Sequence, residues 1–508
     1  MNLQELKEYI PQHQWWSEDC PFRLQYCYWA HSAVEQRLYF HPDYLKAVLL
    51  TFKDGFGQEK SSEEEKLEQY YWLQQKYRED RSFVDQERDR WYQVRKELLE
   101  HVDIINQESA KWNKRQLLDA YSRLMTIARD SARWGFFIEC VDIFNERILP
   151  GLVEKELPEL GNDERNELIL TLATPLIVIF MEEYQKEKDE IIVEHRAEIE
   201  AAGSFEELDR QSELRSAVEE LYGKYKWISV NYAGSPALTQ QDLFEQIQEE
   251  AAQYTDEELK GNVTSIEEKI DKIAARQSAY LEQHVLSEAL LDDFSIIREL
   301  GVWIDERKES MVKTSHAIQV ILEQIAQATE VLREQLEMYL NGEVIELLKT
   351  GKKVDEELLE KRLTNSVVAF EFDGEDGSIA HVYTDEEADE LYKLLNAEEL
   401  ESIKGTVASA PGEQKEYSGT AQVVLDMVKD KFEQGNVLVT SMTRPDFVPL
   451  LKKAAAIITD EGGVTCHAAI ISRELGIPCI IGTRNATKEL QSGERVIMNL
   501  QTGEVIKK

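Results

Sequence analysis

The sequence has few cysteines for its length, which argues against a disulfide-stabilised protein. Only five of the 508 residues are cysteine, the count is odd and none forms a CxxC pair. A disulfide framework is therefore not expected, and reduced thiols in a cytoplasmic setting are the default interpretation. The stretch that follows Met1 is charged and amphipathic, which does not fit a signal peptide.

Positive charge and long apolar runs are also scarce. Lysine and arginine number 58 against 98 aspartate and glutamate residues, a formal net charge of -40. Nucleic acids and anionic membranes attract basic surfaces, so neither is an expected partner. The most apolar run, 168–181, contains Pro175 and is too short for a bilayer, so it is predicted to be a buried core helix. The length predicts two to four domains.

Residues 1–345 are predicted to form a large domain that is helical nearly throughout. Glycine and proline are sparse there, and apolar residues recur three and four positions apart, as from Leu67 to Tyr77. Heptads are not sustained, which favours a globular helical domain over a coiled coil. Residues 227–236 are rich in turn formers and are predicted to be a loop between helices.

The remainder changes character twice, and the predicted fold class is multidomain: a large mainly α-helical region followed by a compact α/β domain. Residues 346–398 are predicted to be a linker region with a β-hairpin, from strands at 367–372 and 379–383, and a helix. Residues 399–508 are predicted to form the α/β domain. Its predicted strands are 420–425, 436–441, 454–459, 477–482 and 495–499, and its predicted helices are 427–434, 445–452 and 467–475.

The segment 454–483 carries the residues that are suited to catalysis. An apolar strand ends at Asp460, and Gly462 and Gly463 then make a tight turn in which side chains would obstruct the backbone. His467 opens the next helix. Its imidazole is therefore expected at a helix N-terminus, where free N–H groups and the positive end of the dipole stabilise a phosphoryl group without a metal.

The same arrangement favours nucleophilic chemistry at His467. The helix dipole favours the neutral imidazole, which is the nucleophilic form. Thr465 offers a hydroxyl to the phosphoryl oxygens, and Arg473 offers a cationic donor if it folds back to the site. Gly476 is expected to end the helix, and Pro478 prevents its continuation.

This string resembles the mobile, or phosphohistidine swivelling, domain of the phosphoenolpyruvate-utilising enzymes, such as phosphoenolpyruvate synthase, pyruvate phosphate dikinase and rifampin phosphotransferase. Their shared signature is Gly-Gly-x-Thr-Ser/Cys-His-Ala-Ala, a helix, and Gly-Ile-Pro. The matching residues are Gly462, Gly463, Thr465, Cys466, His467, Ala468, Ala469, Arg473, Glu474, Gly476, Ile477 and Pro478. The resemblance extends over about 400–505.

The resemblance implies that His467 is the phosphoacceptor of a domain that swings between two sites. The residues that it places around the phosphate are Gly462, Gly463, Cys466 and Ala468. Thr465 occupies the position that some dikinases use for regulatory phosphorylation. Val464 and Ser472 depart from the family's usual residues, but neither removes the nucleophile.

No site that would charge His467 is visible in the sequence. Gly351-Lys352 lacks the preceding glycine of a P-loop, and 1–398 shows no ATP-grasp domain or phosphoenolpyruvate-binding barrel. The chain ends after the α/β domain, which is expected to exclude a C-terminal barrel. We therefore expect the donor, ATP or phosphoenolpyruvate, on a separate subunit, with an ATP-grasp subunit preferred. Mg²⁺ and ATP belong to that donor site, and no metal ligand is expected in this chain.

Two functions remain open from the sequence. In the first, the chain is a phosphotransferase component of the dikinase type, whose helical region holds a small-molecule acceptor, by analogy with the helical middle domain of rifampin phosphotransferase. In the second, it is a non-catalytic regulatory or scaffolding relative whose helical region binds a protein partner. The candidate acceptor-binding residues are Trp227, Arg298 and Arg307. Asp305 and Glu306 are candidates for a general base, although an arginine beside a glutamate is more often a solvated pair.

Overall fold

The chain begins with a small group of helices and strands and continues into a long helical body. A computed structural model describes residues 1–19, 23–35, 45–53, 55–231, 234–372, 377–395, 403–412, 415–425, 432–443, 447–463 and 466–507. The first elements are α1 (Leu3–Tyr9), β1 (Trp15–Asp19), α2 (Tyr28–Glu35), β2 (Ala47–Lys53) and β3 (Phe56–Ser62). The helical body comprises α3 (Glu63–Glu79), α4 (Phe83–Glu108), α5 (Lys114–Arg147), α6 (Leu149–Glu156), α7 (Asn162–Ala173), α8 (Phe180–Ala201), α9 (Glu213–Tyr225), α10 (Gln240–Gln253), α11 (Asp256–Glu267), α12 (Lys269–Gln283), α13 (Glu288–Thr329), α14 (Arg333–Leu336), α15 (Asn341–Thr350) and α16 (Glu356–Thr364). The chain then forms β4 (Asn365–Phe372), β5 (Ser378–Thr384) and α17 (Asp385–Leu395).

An antiparallel sheet joins the two ends of the helical region. Its strand order is β1-β3-β2-β4-β5, and Leu50 of β2 lies opposite Val368 of β4. The prediction that residues 1–345 are helical nearly throughout is therefore wrong at its start, where three strands precede α3. The first six residues of β2 are all buried. A strand that is buried on both faces shows no alternation, so its periodicity does not distinguish it from a helix.

The predicted hairpin is confirmed, but it belongs to this larger sheet. Strand β4 pairs with β5, with Phe370 opposite Ala380, and on its other edge with β2. The hairpin turn, 373–376, lies outside the described residues. The domain boundaries at 345 and 398 remain predictions, whereas the hairpin itself is part of the sheet that holds the N-terminal strands.

The helical body buries three apolar clusters between its helices. The two larger clusters lie around α4, α5 and the long helix α13, and the third lies among α8 to α11. The prediction of one core helix over 168–181 is wrong, because α7 ends at Ala173 and α8 begins at Phe180. Leu168 and Leu172 are nevertheless buried in the core, as expected. No helix in the described ranges is both long and apolar enough to cross a membrane.

The C-terminal part forms an α/β domain (403–507) around one mixed sheet. Its elements are β6 (Ile403–Lys404), β7 (Thr406–Ser409), β8 (Glu416–Val423), β9 (Val437–Thr440), α18 (Val448–Leu451), β10 (Ala456–Thr459), α19 (His467–Leu475), β11 (Cys479–Ile481), α20 (Ala486–Glu489), β12 (Arg495–Asn499) and β13 (Glu504–Lys507). The strand order is β6-β13-β12-β8-β9-β10-β11-β7, and the central strands β8 to β11 are parallel. Apolar side chains are buried on both faces of this sheet.

The five strands predicted in this domain are present as β8 to β12. The helix predicted at 467–475 is confirmed residue for residue, and the one at 445–452 is present as the shorter α18. The predicted helix at 427–434 lies mostly outside the described residues. Strands β6, β7 and β13 were not predicted, since they are short and lie at or near the edges of the sheet.

Candidate functional site

The candidate site lies where the parallel strands β9, β10 and β11 end. The carboxyl edge of a parallel sheet is the usual place for ligands in open α/β domains, because the loops that leave adjacent strands meet there. The loop after β10 leads directly into α19, which begins at His467. The segment after β9 places Thr443 beside it, and the loop after β11 carries Arg484.

The glycine turn before His467 has a conformation that other residues adopt only with strain. Gly462 has φ of +111°, and a Cβ at this position would lie 2.7 Å from the Sγ of Cys466. At Gly463, a Cβ would lie 3.1 Å from the Cγ of Glu146 on α5. At position 462 glycine is needed because the backbone has a positive φ. At position 463 it is needed because the turn packs closely against the helical body.

His467 is half-buried, and its imidazole makes a hydrogen bond with a described residue of the segment after β9. Its Nδ1 lies 3.1 Å from the Oγ1 of Thr443. Burial lowers the pKa of His467 to about 4, so the imidazole is neutral at pH 7. When Nδ1 carries the proton and donates it to Thr443, Nε2 keeps its lone pair and is the nucleophilic nitrogen.

The other predicted phosphate-site residues take different positions. Thr465 lies outside the described residues, as does Val464. Ala468 is buried in the apolar core, so it can offer only its backbone. Burial raises the pKa of Cys466 to about 11, which keeps this thiol protonated at neutral pH.

Arg473 contacts the sheet from the far end of α19. Its Nε donates a 2.8 Å hydrogen bond to the carbonyl oxygen of Ala408 in β7, and it lies in the last turn of the helix that His467 begins. In this arrangement the guanidinium ties α19 to the sheet. A direct contact of Arg473 with a phosphoryl group on His467 remains a prediction. Gly476 ends α19 with φ of +63°, as predicted.

The site faces the C-terminal end of α5 in the helical body. The N–H of Gly462 donates a 3.2 Å hydrogen bond to Oε1 of Glu146. Burial raises the pKa of Glu146 to about 7, and the nearby Asp142 adds to the shift while Arg147 opposes it. The carboxylate of Glu63 links the two parts further, since it lies 3.5 Å from Arg147 and 3.7 Å from Arg484.

The candidate acceptor residues do not converge on His467. Trp227 is buried among α8 to α11, and its Nε1 donates to the carbonyl oxygen of Lys224. Arg298 donates a 2.7 Å hydrogen bond to the carbonyl oxygen of Leu172, at the end of α7. Both are thus engaged in the packing of the helical body, and their role as acceptor ligands remains a prediction.

Arg307 pairs with α5, the helix that also carries Glu146. Its Nη2 is 2.5 Å from Glu139, which lies two turns before Glu146 on α5. Asp305 accepts a 3.3 Å hydrogen bond from the N–H of Phe180 and has a pKa raised to about 6 by burial. Glu306 accepts the hydroxyl of Tyr92, so that carboxylate is engaged.

The sequence interpretation missed the residues of the helical body that lie against the α/β domain. Glu63, Glu146 and Arg147 lie far from the motif along the chain, and acidic residues are abundant in this sequence. The available signal was a stripe of acids at helical spacing on α5, namely Glu139, Asp142 and Glu146. Such a stripe beside the apolar residues of α5 is a signal, because carboxylates are rarely buried without partners. No group of three or more histidines, cysteines, aspartates or glutamates within the described residues is arranged to hold a metal.

A comparison with known families finds a match to the domain that carries this site. The family model described as PEP-utilising enzyme, mobile domain, matches residues 432–503. The α/β domain is therefore similar to the mobile domain of PEP-utilising enzymes. The match includes the turn, His467 and all of α19.

The curated relatives that the chain matches include phosphoenolpyruvate synthases. Phosphoenolpyruvate synthase of Pyrococcus furiosus is 32% identical over 258 residues, which cover 47% of this chain and 30% of the relative. A probable phosphoenolpyruvate synthase of Staphylothermus marinus is 49% identical over 116 residues, 22% of this chain and 14% of the relative. The matched segments thus span less than a third of the length of these relatives. Among solved structures, a solution structure of Enzyme I covers 38% of this chain and 53% of its own at 18% identity, with a TM-score of 0.15, too low to support a structural comparison.

Proposed function

We propose that the chain is a phosphotransferase component that carries a phosphoryl group on His467 from a donor to a small-molecule acceptor. The observation that carries this proposal is a neutral, half-buried imidazole at the N-terminus of α19, at the carboxyl edge of the sheet. A helix N-terminus stabilises a phosphate through its N–H groups and dipole. The mobile-domain match over this segment supports the same chemistry.

The charging step uses Nε2 of His467 as the nucleophile. Its lone pair attacks the terminal phosphorus of the donor, a P–N bond forms, and the bond from phosphorus to the leaving oxygen breaks with its electron pair. Nδ1 keeps its proton, donated to Thr443 Oγ1, which lies 3.1 Å away. The phosphorylated imidazole is then cationic, so a neutral imidazole leaves in the next step. That property makes phosphohistidine an efficient relay.

The donor is ATP or phosphoenolpyruvate on a separate subunit, and an ATP-grasp subunit is the preferred form. The described strands form one antiparallel sheet and one mixed sheet, and neither has the eight parallel strands of a barrel. Mg²⁺ would neutralise the nucleotide phosphates at the donor.

Delivery would follow a rigid-body movement of the α/β domain. The proposed hinge is the segment 396–404, most of which lies outside the described residues. The acceptor would be held by the helical body, which the Gly462–Gly463 turn touches. Domain movements of this type occur on microsecond to millisecond timescales.

The test is phosphorylation with labelled donors. The protein is incubated with labelled ATP or phosphoenolpyruvate, with and without products of neighbouring genes, and then tested for a label that is stable in alkali and labile in acid. Wild type is expected to be labelled and His467→Ala is not. If no combination labels wild type more than His467→Ala, the relay is refuted. A label that moves only to another protein, and never to a metabolite, would favour the regulatory or scaffolding function.

A further inference from the structure

The helical body carries an open groove on the bundle of helices that holds its third apolar cluster. Helix α8 packs against both α9 and α11 in this bundle. Side chains of all three helices, from within 187–194, 217–221 and 260–264, line a groove of about 650 Å³ that is open to solvent. We call it the α8 groove. Its lining on α8 extends from Glu187 to Glu194, which is roughly 10 Å or two turns of helix.

Aliphatic side chains supply the apolar part of the lining. They are Ile191, Val193, Ala217, Leu221 and Val263. Leu221 is buried in the core of the bundle, whereas the other four are only partly buried. Burial of apolar surface is worth roughly 25 cal/mol per Å². A partner that covered these side chains would therefore be held by the same effect that holds the bundle together.

Glutamates supply most of the charge of the lining. They are Glu187, Glu190, Glu194 and Glu220, with Lys260 as the single basic residue among the described residues of the groove. Glu187 forms an ion pair with Lys224, which neutralises it. Glu190 lies 4.0 Å from Lys186, which is too long for a hydrogen bond, and Glu220 forms no ion pair within the described part of the chain. The groove thus offers carboxylates that can pair with the cations of a ligand.

The charge of the bundle determines the charge of what can bind there. Residues 180–283 contain 25 acidic and 11 basic residues. Glu190 and Glu194 are four positions apart on α8, and like charges at this spacing disfavour a helix by about 0.2–0.5 kcal/mol. A cation bound between them would remove that repulsion. A second copy of this chain, with its net charge of -40, would instead bring further negative charge to these glutamates.

The shape of the groove favours a helix over other ligands. Strand addition needs the free edge of a sheet, and the walls here are helices. Small-molecule pockets enclose most of their ligand, whereas this groove is open. An amphipathic helix packs into a groove through apolar residues at i, i+3, i+4 and i+7, which span about two turns. That span matches the length of the groove along α8.

We propose that the α8 groove binds a basic, amphipathic helix of a protein partner. The apolar face of that helix would cover Ile191 and Val263, and lysines or arginines beside the face would pair with Glu190, Glu194 and Glu220. Long basic side chains suit this position, because their methylene stems lie on apolar surface while their charged ends reach the carboxylates. The inference is independent of the phosphoryl relay, since neither the groove nor its test involves a phosphoryl group.

The experiment measures the binding of three fluorescent peptides to the whole protein by anisotropy. The first, about 18 residues or roughly 27 Å of helix, has leucines at helical spacing and lysines beside them. The second has two prolines at its centre, which prevent the helix, and the third has glutamate in place of lysine. The first is expected to bind at least tenfold more tightly than the others, and less tightly as salt rises. Equal binding of the second refutes a helical ligand, and equal binding of the third refutes a basic one.

Charge reversal in the groove tests where the first peptide binds. Glu190→Lys combined with Glu220→Lys is expected to weaken its binding at least tenfold. The matched control is Glu245→Lys combined with Glu249→Lys, which changes the net charge equally at exposed positions of α10 outside the groove. This control is expected to change binding less than threefold. Equal weakening by the two pairs would show that the peptide follows the overall charge, and the groove would be refuted as its site.

An apolar substitution tests the other half of the recognition. Val263→Asp is expected to weaken the first peptide at least tenfold, whereas Leu281→Asp, at a 45% exposed position of α12, is expected to have little effect. Circular dichroism verifies that each variant is folded, and the charge reversals decide the question if Val263→Asp is not. Light scattering of the wild type covers the remaining occupant. A dimer that Val263→Asp dissociates would show that a second copy fills the groove, and the proposal would be overturned.

Discussion

At the scale of single residues, the glycine turn requires glycine at position 462 for stability, and this requirement can be measured separately from activity. Gly462→Ala would combine a positive φ with a Cβ 2.7 Å from Cys466 Sγ. Gly435→Ala shares the positive φ, +91°, but would meet nothing within 4 Å. We expect Gly435→Ala to lower the free energy of unfolding by about 1 kcal/mol and Gly462→Ala to lower it by a further 1–3 kcal/mol.

Chemical denaturation of both variants checks this expectation. Gly151→Ala, in α6 with open space around its Cβ position, serves as a control that should be neutral or stabilising. Equal losses in Gly462→Ala and Gly435→Ala would show that the contact with Cys466 is not tight.

His467 has a titration that stability should report. Its pKa is lowered from 6.5 to about 4 in the folded protein, so the unfolded chain takes up the proton first as the pH falls. The free energy of unfolding should therefore decrease between pH 6.5 and pH 4 in wild type relative to His467→Gln, and the two should differ little in pH dependence above pH 6.5. The imidazole resonance of His467, assigned by its absence from the variant, should titrate below pH 5. A midpoint near 6.5 would contradict the buried, neutral ring.

At the scale of elements, the first sheet makes the helical region depend on residues beyond its predicted boundary. Strand β2 pairs along its whole length with β4, and Val368 and Phe370 of β4 belong to the same apolar cluster as Leu50. A fragment of residues 1–345 loses these partners. We expect it to be aggregated or molten, whereas a fragment of residues 399–508 contains both faces of its own core and should fold.

Circular dichroism and NMR of the two fragments decide this prediction. A fragment of residues 1–395, which restores β4, β5 and α17, is the matched control and should fold cooperatively. Cooperative unfolding of the 1–345 fragment would show that the β2–β4 pairing is dispensable.

The elements also explain what the sequence could predict. The strand–turn–helix around His467 is local, since glycine, helix and proline signals lie within about 25 residues, and its prediction is confirmed at 467–475. Strand β3 gave no such signal, because Gln58, Glu59 and Lys60 are polar yet buried. Burial of polar residues depends on partners far along the chain.

At the scale of the whole molecule, the contacts between the α/β domain and the helical body favour a reversible association. Besides the glycine turn, they include Arg484 with Glu63 at 3.7 Å and Asn166 Nδ2 donating to the carbonyl oxygen of Val407 at 3.0 Å. The Arg484 guanidinium remains partly exposed, and at 3.7 Å from the buried Glu63 carboxylate the pair is long, so salt in the solvent weakens it. Glu63→Gln should therefore increase the population of the separated arrangement.

Small-angle X-ray scattering provides the measurement. The radius of gyration is expected to increase in Glu63→Gln and, for wild type, with rising salt. Glu79→Gln removes an exposed ion pair with Lys76 at the other end of α3 and should leave the radius unchanged. Identical scattering of Glu63→Gln and wild type at all salt concentrations would mean that this ion pair does not hold the domains together.

The pairing of β2 with β4 also has a consequence for synthesis on the ribosome. About 310 residues separate the two strands, so at 5–20 residues per second β2 waits roughly 15–60 s for its partner. During that time the hairpin of β2 and β3 exposes an unpaired apolar edge. Such an edge is a template for aggregation, so the nascent chain should be a client of ribosome-associated chaperones until residue 372 has emerged.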